Sequence, residues 1–541
     1  MASRSASPSA PTQLLVVLAL VSVSLVLAAA HPPATPPPAK AGATGISPGL
    51  VSTLGETLDA IKGVASIISS FPIVGGDVRL SSAVADCLDL LDLSSDELSW
   101  SMSATSDDPA SAGAAVGGGL GTGDARSDLR SWLSGALGNQ DTCREGLDET
   151  GSVLGSLVAA GLDAVTSLLA DGLGQLAAGD AAVVDGRRRG LAEGAPPRWL
   201  RAGEQRLLQM PVGPGGLAVD AVVAKDGSGN FTTVSAAVEA APEESTARHV
   251  IYVKKGVYKE TVEIKKKKWN IVLVGDGMGE TVITGHRNYV DGYTTYRSAT
   301  VAVNGKGFIA RDVTLENTAG PAKHQAVALR CDSDLSVFYR CAFDGFQDTL
   351  YAHSLRHFYR DCVVSGTVDF VFGNAAAVFQ GCLLLPRLPL PAQKNSLTAQ
   401  GRLDANMTTG FAFQFCNVSA HPDLLRNRST AGAGAAAATQ TFLGRPWKRY
   451  SRVVFMQSFI GDVVRPEGWL AWDGDFALDT LYYGEYMNTG PGAAVAGRVK
   501  WPGFHVMTDP ADAGNFTVGQ FIQGNMWLPP TGVKYTAGLT S

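Results

Sequence analysis

The chain has 541 residues, of which 45% are hydrophobic and 17% charged, with a formal net charge of −6 and an isoelectric point near 5.8. This length exceeds one ordinary domain and the composition is that of globular protein, so we expect two or more folded units and exclude a wholly disordered chain. The acidic balance argues against a general nucleic-acid-binding protein, and the basic run at residues 265–268 is interpreted as a solvated strand end.

The N-terminus carries the pattern of a secretory signal. Residues 1–30 begin with the basic Arg4, continue through an apolar stretch at 14–27 and end in three alanines. This order predicts a signal peptide, with an uncleaved anchor as the alternative. Residues 31–48 are rich in proline and alanine and are expected to form a linker. Secretion agrees with five Asn-x-Ser/Thr sequons, at Asn230, Asn406, Asn417, Asn427 and Asn515. We therefore expect an extracellular protein.

The next segment, residues 49–182, has the spacing of helices. Apolar residues recur every three or four positions, as in Leu154, Val158, Leu162 and Val165, and a Gly/Ala/Ser-rich loop interrupts the pattern near 110–123. This periodicity predicts a small, all-α helical bundle. Residues 183–218 follow, with three arginines at 187–189 and a Pro-Pro-Arg sequence at 196–198, and are expected to form a second linker.

From residue 219 to the end the chain consists of short β-branched and aromatic runs. The sequences FIARD, VFYRC, FYRDC and VFQGC look like versions of one unit, and their last residues, at 312, 341, 362 and 382, are separated by 29, 21 and 20 positions. A mainly β region with a repeat near 21 residues predicts a right-handed parallel β-helix. A β-sandwich is the alternative, but its hairpins would show more Asn-Gly and Asp-Gly pairs.

Two aspartates lie one such repeat apart. Asp348 occurs in GFQDTLY and Asp369 in GTVDFVFGN, 21 residues later. Residues one turn apart on neighbouring strands would lie about 4.8 Å from each other, and two carboxylates held that closely cannot both ionise freely. The pair could therefore supply a nucleophile and an acid, with Gln325 and Gln347 on the same face. Structural amide ladders and turn-capping aspartates are the alternative interpretation. Cys362 and Cys382, 20 residues apart, could meet on adjacent turns in the same way.

Aromatic residues and one arginine strengthen the catalytic interpretation. Arg445, in LGRPW, offers a planar fork to a carboxylate and would hold Asp369 ionised. Four aromatic residues lie beside polar motifs, as expected for a groove that stacks sugar rings, although each could be ordinary core: Tyr351, Phe372, Trp447 and Trp469.

Five blocks of the chain resemble the signatures of plant pectin methylesterases. They are GVYKE at 256–260, QAVALR at 325–330, the two aspartate motifs, and LGRPW at 443–447, and the resemblance runs from about Asp220 to the end. The helical region, with DCLDLL at 86–91 and NQDTC at 139–143, resembles the inhibitor-type pro-region that often precedes this enzyme. It is shortened at its N-terminus, since no cysteine precedes Cys87.

The resemblance implies a monomeric enzyme that removes methyl groups from galacturonate esters in homogalacturonan, the pectin backbone, and releases methanol. It implies no metal or organic cofactor, and proteinaceous inhibitors are possible further partners. Asp369 corresponds to the nucleophile and Asp348 to the proton donor and later base, while Gln347 and Gln325 hold the oxyanion. The remaining family correspondences are the substrate contacts Thr295, Gln325, Arg445 and Trp447, the disulfide Cys362–Cys382, and a processing site at 205–208 or 187–189. Cys87 and Cys143 are a candidate second pair.

Three other functions compete with this expectation. A serine esterase would use Gly-x-Ser-x-Gly, which residues 45–49 match, but no strand precedes them. A pectin depolymerase would need a glycosidase carboxylate pair or an aspartate cluster for calcium, and neither signature is evident around Asp348. An inactive wall-binding protein would not need all five polar site residues, Gln325, Gln347, Asp348, Asp369 and Arg445. The Ala/Gly-rich segment 430–439 is expected to be a disordered surface insertion.

Overall fold

A computed structural model describes residues 48–72, 77–105, 121–184, 217–430 and 439–540. The expected signal peptide, the Pro/Ala-rich linker up to residue 47, the candidate processing sites and most of the Ala/Gly-rich insertion lie outside these ranges. The described chain forms a helical bundle followed by a long coil of β-strands. This arrangement confirms the predicted fold class.

Four long helices make up the bundle: α1 Pro48–Ser69, α2 Val78–Thr105, α3 Ala125–Asp148 and α4 Val153–Val184. Helix α3 begins after Asp124, whose carboxylate accepts hydrogen bonds from the amides of Arg126 and Ser127 and so caps the first turn. The apolar residues that predicted a helix at Leu154 and Leu162 are buried in the bundle core. A disulfide joins Cys87 on α2 to Cys143 on α3, which confirms the candidate pair.

Helix α4 contains a segment, Val153–Ala178, that is long and apolar enough to cross a membrane by length and composition. Its mean hydropathy is 1.8. The buried face of this segment packs against α1 and α3, so the need to bury that face in the bundle accounts for part of its apolar composition.

The rest of the described chain contains 28 strands, numbered along the sequence, with short helices between and after them. The strands are β1 Ala221–Val223, β2 His249–Val253, β3 Gly256–Lys259, β4 Val262–Ile264, β5 Ile271–Val274, β6 Thr281–Gly285, β7 Val301–Val303, β8 Ile309–Arg311, β9 Thr314–Asn317, β10 Leu329–Cys331, β11 Ser336–Tyr339, β12 Ala342–Asp344, β13 Leu350–Ala352, β14 Arg356–Arg360, β15 Val363–Gly366, β16 Val371–Gly373, β17 Ala376–Gln380, β18 Leu383–Pro386, β19 Asn395–Ser396, β20 Thr398–Gln400, β21 Gly410–Gln414, β22 Asn417–Val418, β23 Thr441–Phe442, β24 Arg445–Pro446, β25 Arg452–Met456, β26 Phe459–Ile460, β27 Tyr482–Tyr486 and β28 Phe504–Val506. The short helices are α5 Val234–Ala240, α6 Pro422–Thr430, α7 Pro510–Gly514, α8 Val518–Phe521 and α9 Gly524–Trp527.

These strands form three parallel sheets that run the length of the coil. The first has eleven strands in the order β1-β2-β5-β8-β11-β14-β17-β21-β25-β27-β28, and the second has eight, β26-β22-β18-β15-β12-β9-β6-β3. The third has seven, β24-β20-β16-β13-β10-β7-β4, and carries the candidate site. Strands β19 and β23 pair separately. Each turn of the coil contributes one strand to each sheet over most of its length, which is the expected parallel β-helix.

The register tests the repeat that predicted the coil. Val337 pairs with Phe358 and Phe358 with Val378, which are the predicted offsets of 21 and 20 residues. The first unit is shifted by one position, because Ile309 pairs with Val337 at an offset of 28. Inside the coil, five aromatic rings from successive turns stack with centroids 4.4 to 4.8 Å apart, from Phe338 to Phe455. The repeat thus places like residues on top of one another.

The expected disulfide between Cys362 and Cys382 is not formed. Both cysteines are buried free thiols, as are Cys331, Cys341 and Cys416. Residues stacked in register on parallel strands point their side chains in the same direction, so the two sulfurs lie side by side rather than facing each other. Each sulfur instead lies near a backbone oxygen, at 3.3 Å from that of Phe338 for Cys362 and 3.6 Å from that of Tyr359 for Cys382.

The bundle lies directly on the seven-stranded sheet and the turns around it. Arg356 of the coil is buried between two carboxylates and binds Asp128 of α3 and Asp334 of the coil, each at 2.6 Å. The indole nitrogen of Trp132, on α3, donates to Asp334 at 3.2 Å. The two units also approach closely at Gly138, where a Cβ would lie 2.8 Å from the side-chain nitrogen of Asn374. The two units therefore share a packed, ion-paired interface.

The basic run at 265–268 contributes to this interface and to the core. Lys268 is 4% exposed, and its ammonium donates to the backbone oxygens of Glu239 and Ala241. Lys266 forms ion pairs with two carboxylates of α2. The interpretation of the run as a solvated strand end is therefore wrong for these two lysines, whose ammonium groups have specific partners.

Candidate active site

The two aspartates lie on adjacent turns of the coil. Strand β13 pairs with β16 so that Leu350 is opposite Val371. Asp348 lies two positions before Leu350, and Asp369 lies two positions before Val371. The amide of Asp348 donates to the carbonyl of Val368 at 3.0 Å, which carries the pairing into the turn. Both aspartates have left-handed backbone, with φ of 61° at Asp348 and 53° at Asp369, a conformation that aspartate tolerates better than most residues.

Arg445 holds one of the two carboxylates. Its guanidinium donates to both oxygens of Asp369, at 2.8 and 2.6 Å. This two-point contact fixes the orientation of the carboxylate. The guanidinium also lies over the ring of Trp472, with its Cζ 4.3 Å from the ring centroid. Asp369 is thus a carboxylate held in a fixed orientation beside a positive charge, which suits a nucleophile.

Asp348 has the opposite environment. Burial raises the pKa of Asp348 well above its ordinary value, and the charge of Asp369 raises it further, while Arg445 opposes part of this effect. Glu149, from the helical bundle, adds a second nearby negative charge. Of these two neighbouring carboxyls, Asp348 with its raised pKa suits an acid, and Asp369 with its arginine partner suits a nucleophile.

The remaining predicted site residues divide between the cleft and the core. The structure brings most of them to one cavity of about 480 Å³, lined among others by Thr295, Gln325, Gln347, Asp348, Tyr351, Asp369, Phe372, Arg445 and Trp447. Tyr351 and Phe372 stack with ring centroids 4.1 Å apart, and Trp447 lies at a tilt, 6.0 Å from Phe372. These rings form an aromatic wall next to the carboxylates.

Trp469 was expected in this groove, and the structure places it elsewhere. It is 1% exposed, its ring stacks on Tyr483 at 4.2 Å, and its indole nitrogen donates to Glu485. Trp472, three residues later, lines the cavity instead. A single sequence offers no signal that distinguishes the two tryptophans of Trp-Leu-Ala-Trp, since both lie among polar and glycine residues. Thr294 and Tyr296 also line the cavity and were not predicted.

The helical bundle closes one side of the cavity. Its contribution to the lining is Asp86 on α2, Thr142, Glu145, Gly146 and Asp148 on α3, and Glu149. Thr142 bonds the ring nitrogen Nε2 of His353 at 2.8 Å, beside the aromatic wall. Tyr351, Phe372 and Ala399 belong to the apolar core of the bundle rather than to that of the coil. In the intact chain the bundle therefore covers the candidate site.

Among the residues that the structure describes, no group of three or more His, Cys, Asp or Glu side chains is arranged to hold a metal ion. What the described site offers chemically is one oriented carboxylate, one carboxyl with a raised pKa, amide donors and an aromatic wall. This set suits attack on an ester carbonyl.

Replacing Asp348 by asparagine is expected to stabilise the uncut chain, and more so at about pH 8 than at about pH 4. A carboxyl with a raised folded pKa contributes its full stability only below its unfolded pKa, near 3.9, and that stability is lost as the pH rises through the folded pKa. Asparagine has no proton to lose, so the variant avoids this loss at the higher pH. Calorimetric Tm values at both pH values provide the measurement, and an equal change at the two would contradict the raised pKa.

Comparison with known proteins identifies the family. The Pectinesterase family model matches residues 220–525, and the model of the plant invertase/pectin methylesterase inhibitor matches residues 4–173. A pectinesterase/pectinesterase inhibitor of Prunus persica is 56% identical over 485 residues, which cover 90% of this chain and 88% of that protein. A probable pectinesterase/pectinesterase inhibitor of Arabidopsis thaliana is 53% identical over 493 residues, 90% of each. The solved pectin methylesterase from carrot is 54% identical, with a TM-score of 0.58, and matches 60% of this chain and 100% of its own. The chain therefore belongs to the pectinesterase family.

Proposed function

We propose that this pectinesterase hydrolyses methyl-esterified galacturonate in pectin with Asp369 as nucleophile and Asp348 as acid and base. Ionised Asp369 attacks the ester carbonyl carbon and forms a tetrahedral oxyanion, which Gln325 and Gln347 stabilise through their amide groups. The bond to the methoxy oxygen then breaks, and Asp348 gives its proton to that oxygen, so that methanol leaves and an acyl-enzyme remains.

The second half of the reaction restores the enzyme. Asp348, now ionised, takes a proton from a water molecule, whose oxygen attacks the acyl carbon. The bond to Asp369 breaks, and the free galacturonate carboxyl and the original carboxylate are regenerated. The observation that carries this proposal is the bidentate contact of Arg445 with Asp369 beside Asp348, whose pKa burial and the charge of Asp369 raise well above its ordinary value.

The test uses the β-helix region, residues 217–541, because the carrot enzyme shows that such a region folds alone. That protein matches this chain over its whole length while leaving 40% of this chain unmatched. We expect residues 217–541 to release methanol from methylated pectin without shortening the polymer. Shortened chains would point to a depolymerase. If the region neither released methanol nor shortened the polymer, that result would contradict an enzymatic function.

Replacing Gln347 by alanine is expected to lower kcat about 100-fold. Losing one donor to the oxyanion typically costs this much, because the donor acts on charge that appears only in the transition state. Initial rates of methanol release from methylated pectin give kcat and KM. Gln393→Ala, outside the cavity lining, serves as the matched control, and a rise in KM with unchanged kcat for Gln347→Ala would assign it to ground-state binding instead.

We infer that the bundle inhibits the uncut chain and that cleavage between residues 184 and 217 precedes activity. This inference is supported by the cavity, whose lining on one side comes from α2 and α3, and by the buried contact of Arg356 with Asp128. The arginines at 187–189 and the sequence QRLL at 205–208 lie in that interval and are the candidate cleavage sites. Separate inhibitor proteins of the same helical type would bind the uncovered cleft in the same place.

We propose further that the protein is secreted to the cell wall, is glycosylated and acts as a monomer. Secretion is supported by the signal-like N-terminus and by exposed sequon asparagines at Asn230, Asn417, Asn427 and Asn515. Asn406, by contrast, is half-buried next to the bundle. A monomer suffices because every residue of the proposed mechanism comes from one chain. Enzymatic deglycosylation of the secreted protein, followed by mass measurement, tests the modification.

A further inference from the structure

The bundle presents carboxylates to cations of the β-helix at opposite ends of the active-site cavity. At one end, Arg297 binds Asp86 at 2.6 Å and Asp89 at 2.7 Å. Asp86 also accepts a hydrogen bond from the hydroxyl of Thr294. Asp86 and Thr294 both line the cavity that contains the reactive carboxyls. A carboxylate of the bundle therefore occupies an anion-binding site inside the cleft, formed by the guanidinium of Arg297 and the hydroxyl of Thr294.

The other end has the same arrangement with a lysine. Lys448 directly follows the LGRPW block and lies 5.2 Å from the ring centroid of Trp447. It binds Asp141 at 2.6 Å and also Glu145, and Glu145 lines the cavity. Burial raises the pKa of Glu145 to about 7, with Asp141 adding to the shift and Lys448 opposing it. Lys448 is therefore the cation that favours the charged form of Glu145.

Neither cation has a carboxylate partner on the β-helix itself within the described ranges, so removing the bundle leaves both charges in the open cleft. The polymer that enters the cleft has one kind of anionic group, the carboxylate of galacturonate residues that carry no methyl ester. A guanidinium with a neighbouring hydroxyl and an ammonium beside an aromatic ring are suitable partners for such a carboxylate on a sugar ring.

We propose that Arg297 with Thr294, and separately Lys448, are binding positions for free galacturonate carboxylates on either side of the reacting ester. Asp86 and Glu145 of the bundle occupy these positions in the intact chain as mimics of the substrate. The proposal rests on the proposed function for the identity of the polymer. It adds a preference among the methyl esters of the polymer, because esters flanked by free carboxylates bind more tightly than esters flanked by other esters.

The test is the binding of a fully de-esterified oligogalacturonate to residues 217–541, measured by calorimetry. Arg297→Gln and Lys448→Gln are each expected to weaken this binding about five- to tenfold, as for partly exposed charged hydrogen bonds. The two effects should multiply in the double variant, because the sites lie at opposite ends of the cleft. Arg465→Gln and Lys267→Gln, which remove charges paired with Glu467 and Glu244 on the surface, are the matched controls.

Competition adds a result that a merely structural role would not produce. In a chain cut between residues 184 and 217, the bundle should be displaced from residues 217–541 by the de-esterified oligomer, and a methyl-esterified oligomer of equal length should displace it less. Unchanged oligomer affinity in both cleft variants, or equal losses in the surface controls, would overturn the proposal. This outcome is independent of catalysis: a protein that binds as expected but releases no methanol would refute the proposed function and leave the two carboxylate positions standing.

Discussion

Alanine at position 369 is expected to abolish methanol release by residues 217–541, with kcat at least about a thousandfold lower and the fold retained. The reason is that Asp369 is the group that bonds to the substrate carbon, and the other groups of the cleft cannot replace that bond. Methanol release from methylated pectin measures the activity. Circular dichroism and thermal unfolding establish that the coil is intact.

Asp312 supplies a close control for this variant. It also has left-handed backbone, with φ of 58°, and its carboxylate receives the same two-point contact from an arginine, Arg340, at 2.7 and 2.6 Å. It lies away from the cleft. Asp312→Ala therefore removes an equivalent ion pair and should keep the activity. Full activity in Asp369→Ala would refute the assigned nucleophile, and loss of activity in both variants would indicate that the ion pairs serve the fold.

The uncut chain with glutamine at position 356 is expected to gain activity. Arg356 is 1% exposed and joins Asp128 of the bundle to Asp334 of the coil. Breaking a buried ion pair by removing one partner costs about 3–5 kcal/mol, because the other charge stays buried without compensation. Such a loss weakens docking of the bundle at least about 100-fold. Asp334 keeps its hydrogen bonds from the backbone amides of Leu335 and residue 356 on the coil, so the coil itself should tolerate the change.

Methanol release by the uncut variant, compared with the uncut wild-type chain, measures this effect. Asp128→Asn changes the same ion pair from the bundle side and should act in the same direction. Arg360→Gln, which removes a half-buried arginine paired with Asp361 outside the interface, is the control. An Arg356→Gln chain that remains as inactive as the wild type, although both units are folded, would show that docking does not depend on this contact.

The repeat was sufficient to predict the coil and the adjacency of Asp348 and Asp369, because a parallel β-helix converts sequence offset directly into distance. Offsets of 21 and 20 residues reappear in the register. The same rule did not distinguish Trp469 from Trp472. Which of these two rings turns inward depends on packing against Tyr483, a contact across turns that no local pattern encodes.

Two other features depend on information that spacing does not contain. In-register stacking correctly brought Cys362 and Cys382 together, but a disulfide also needs the sulfurs to face each other, and parallel side chains do not. The docking of the bundle rests on pairs such as Asp128 with Arg356, which lie 228 residues apart in two different folds. Hydrophobic periodicity predicted the helical character of the region without indicating which of its faces meets the coil.

The apolar wall that the bundle shares with the cleft has a consequence for solubility. Tyr351 and Phe372 are 3% and 4% exposed in the intact chain, and both belong to the bundle core. When the bundle no longer covers them, these two rings form a contiguous apolar patch with Trp447, and exposed patches of this kind promote self-association. A retained bundle therefore keeps this patch covered, and the cut β-helix region should self-associate more readily than the uncut chain.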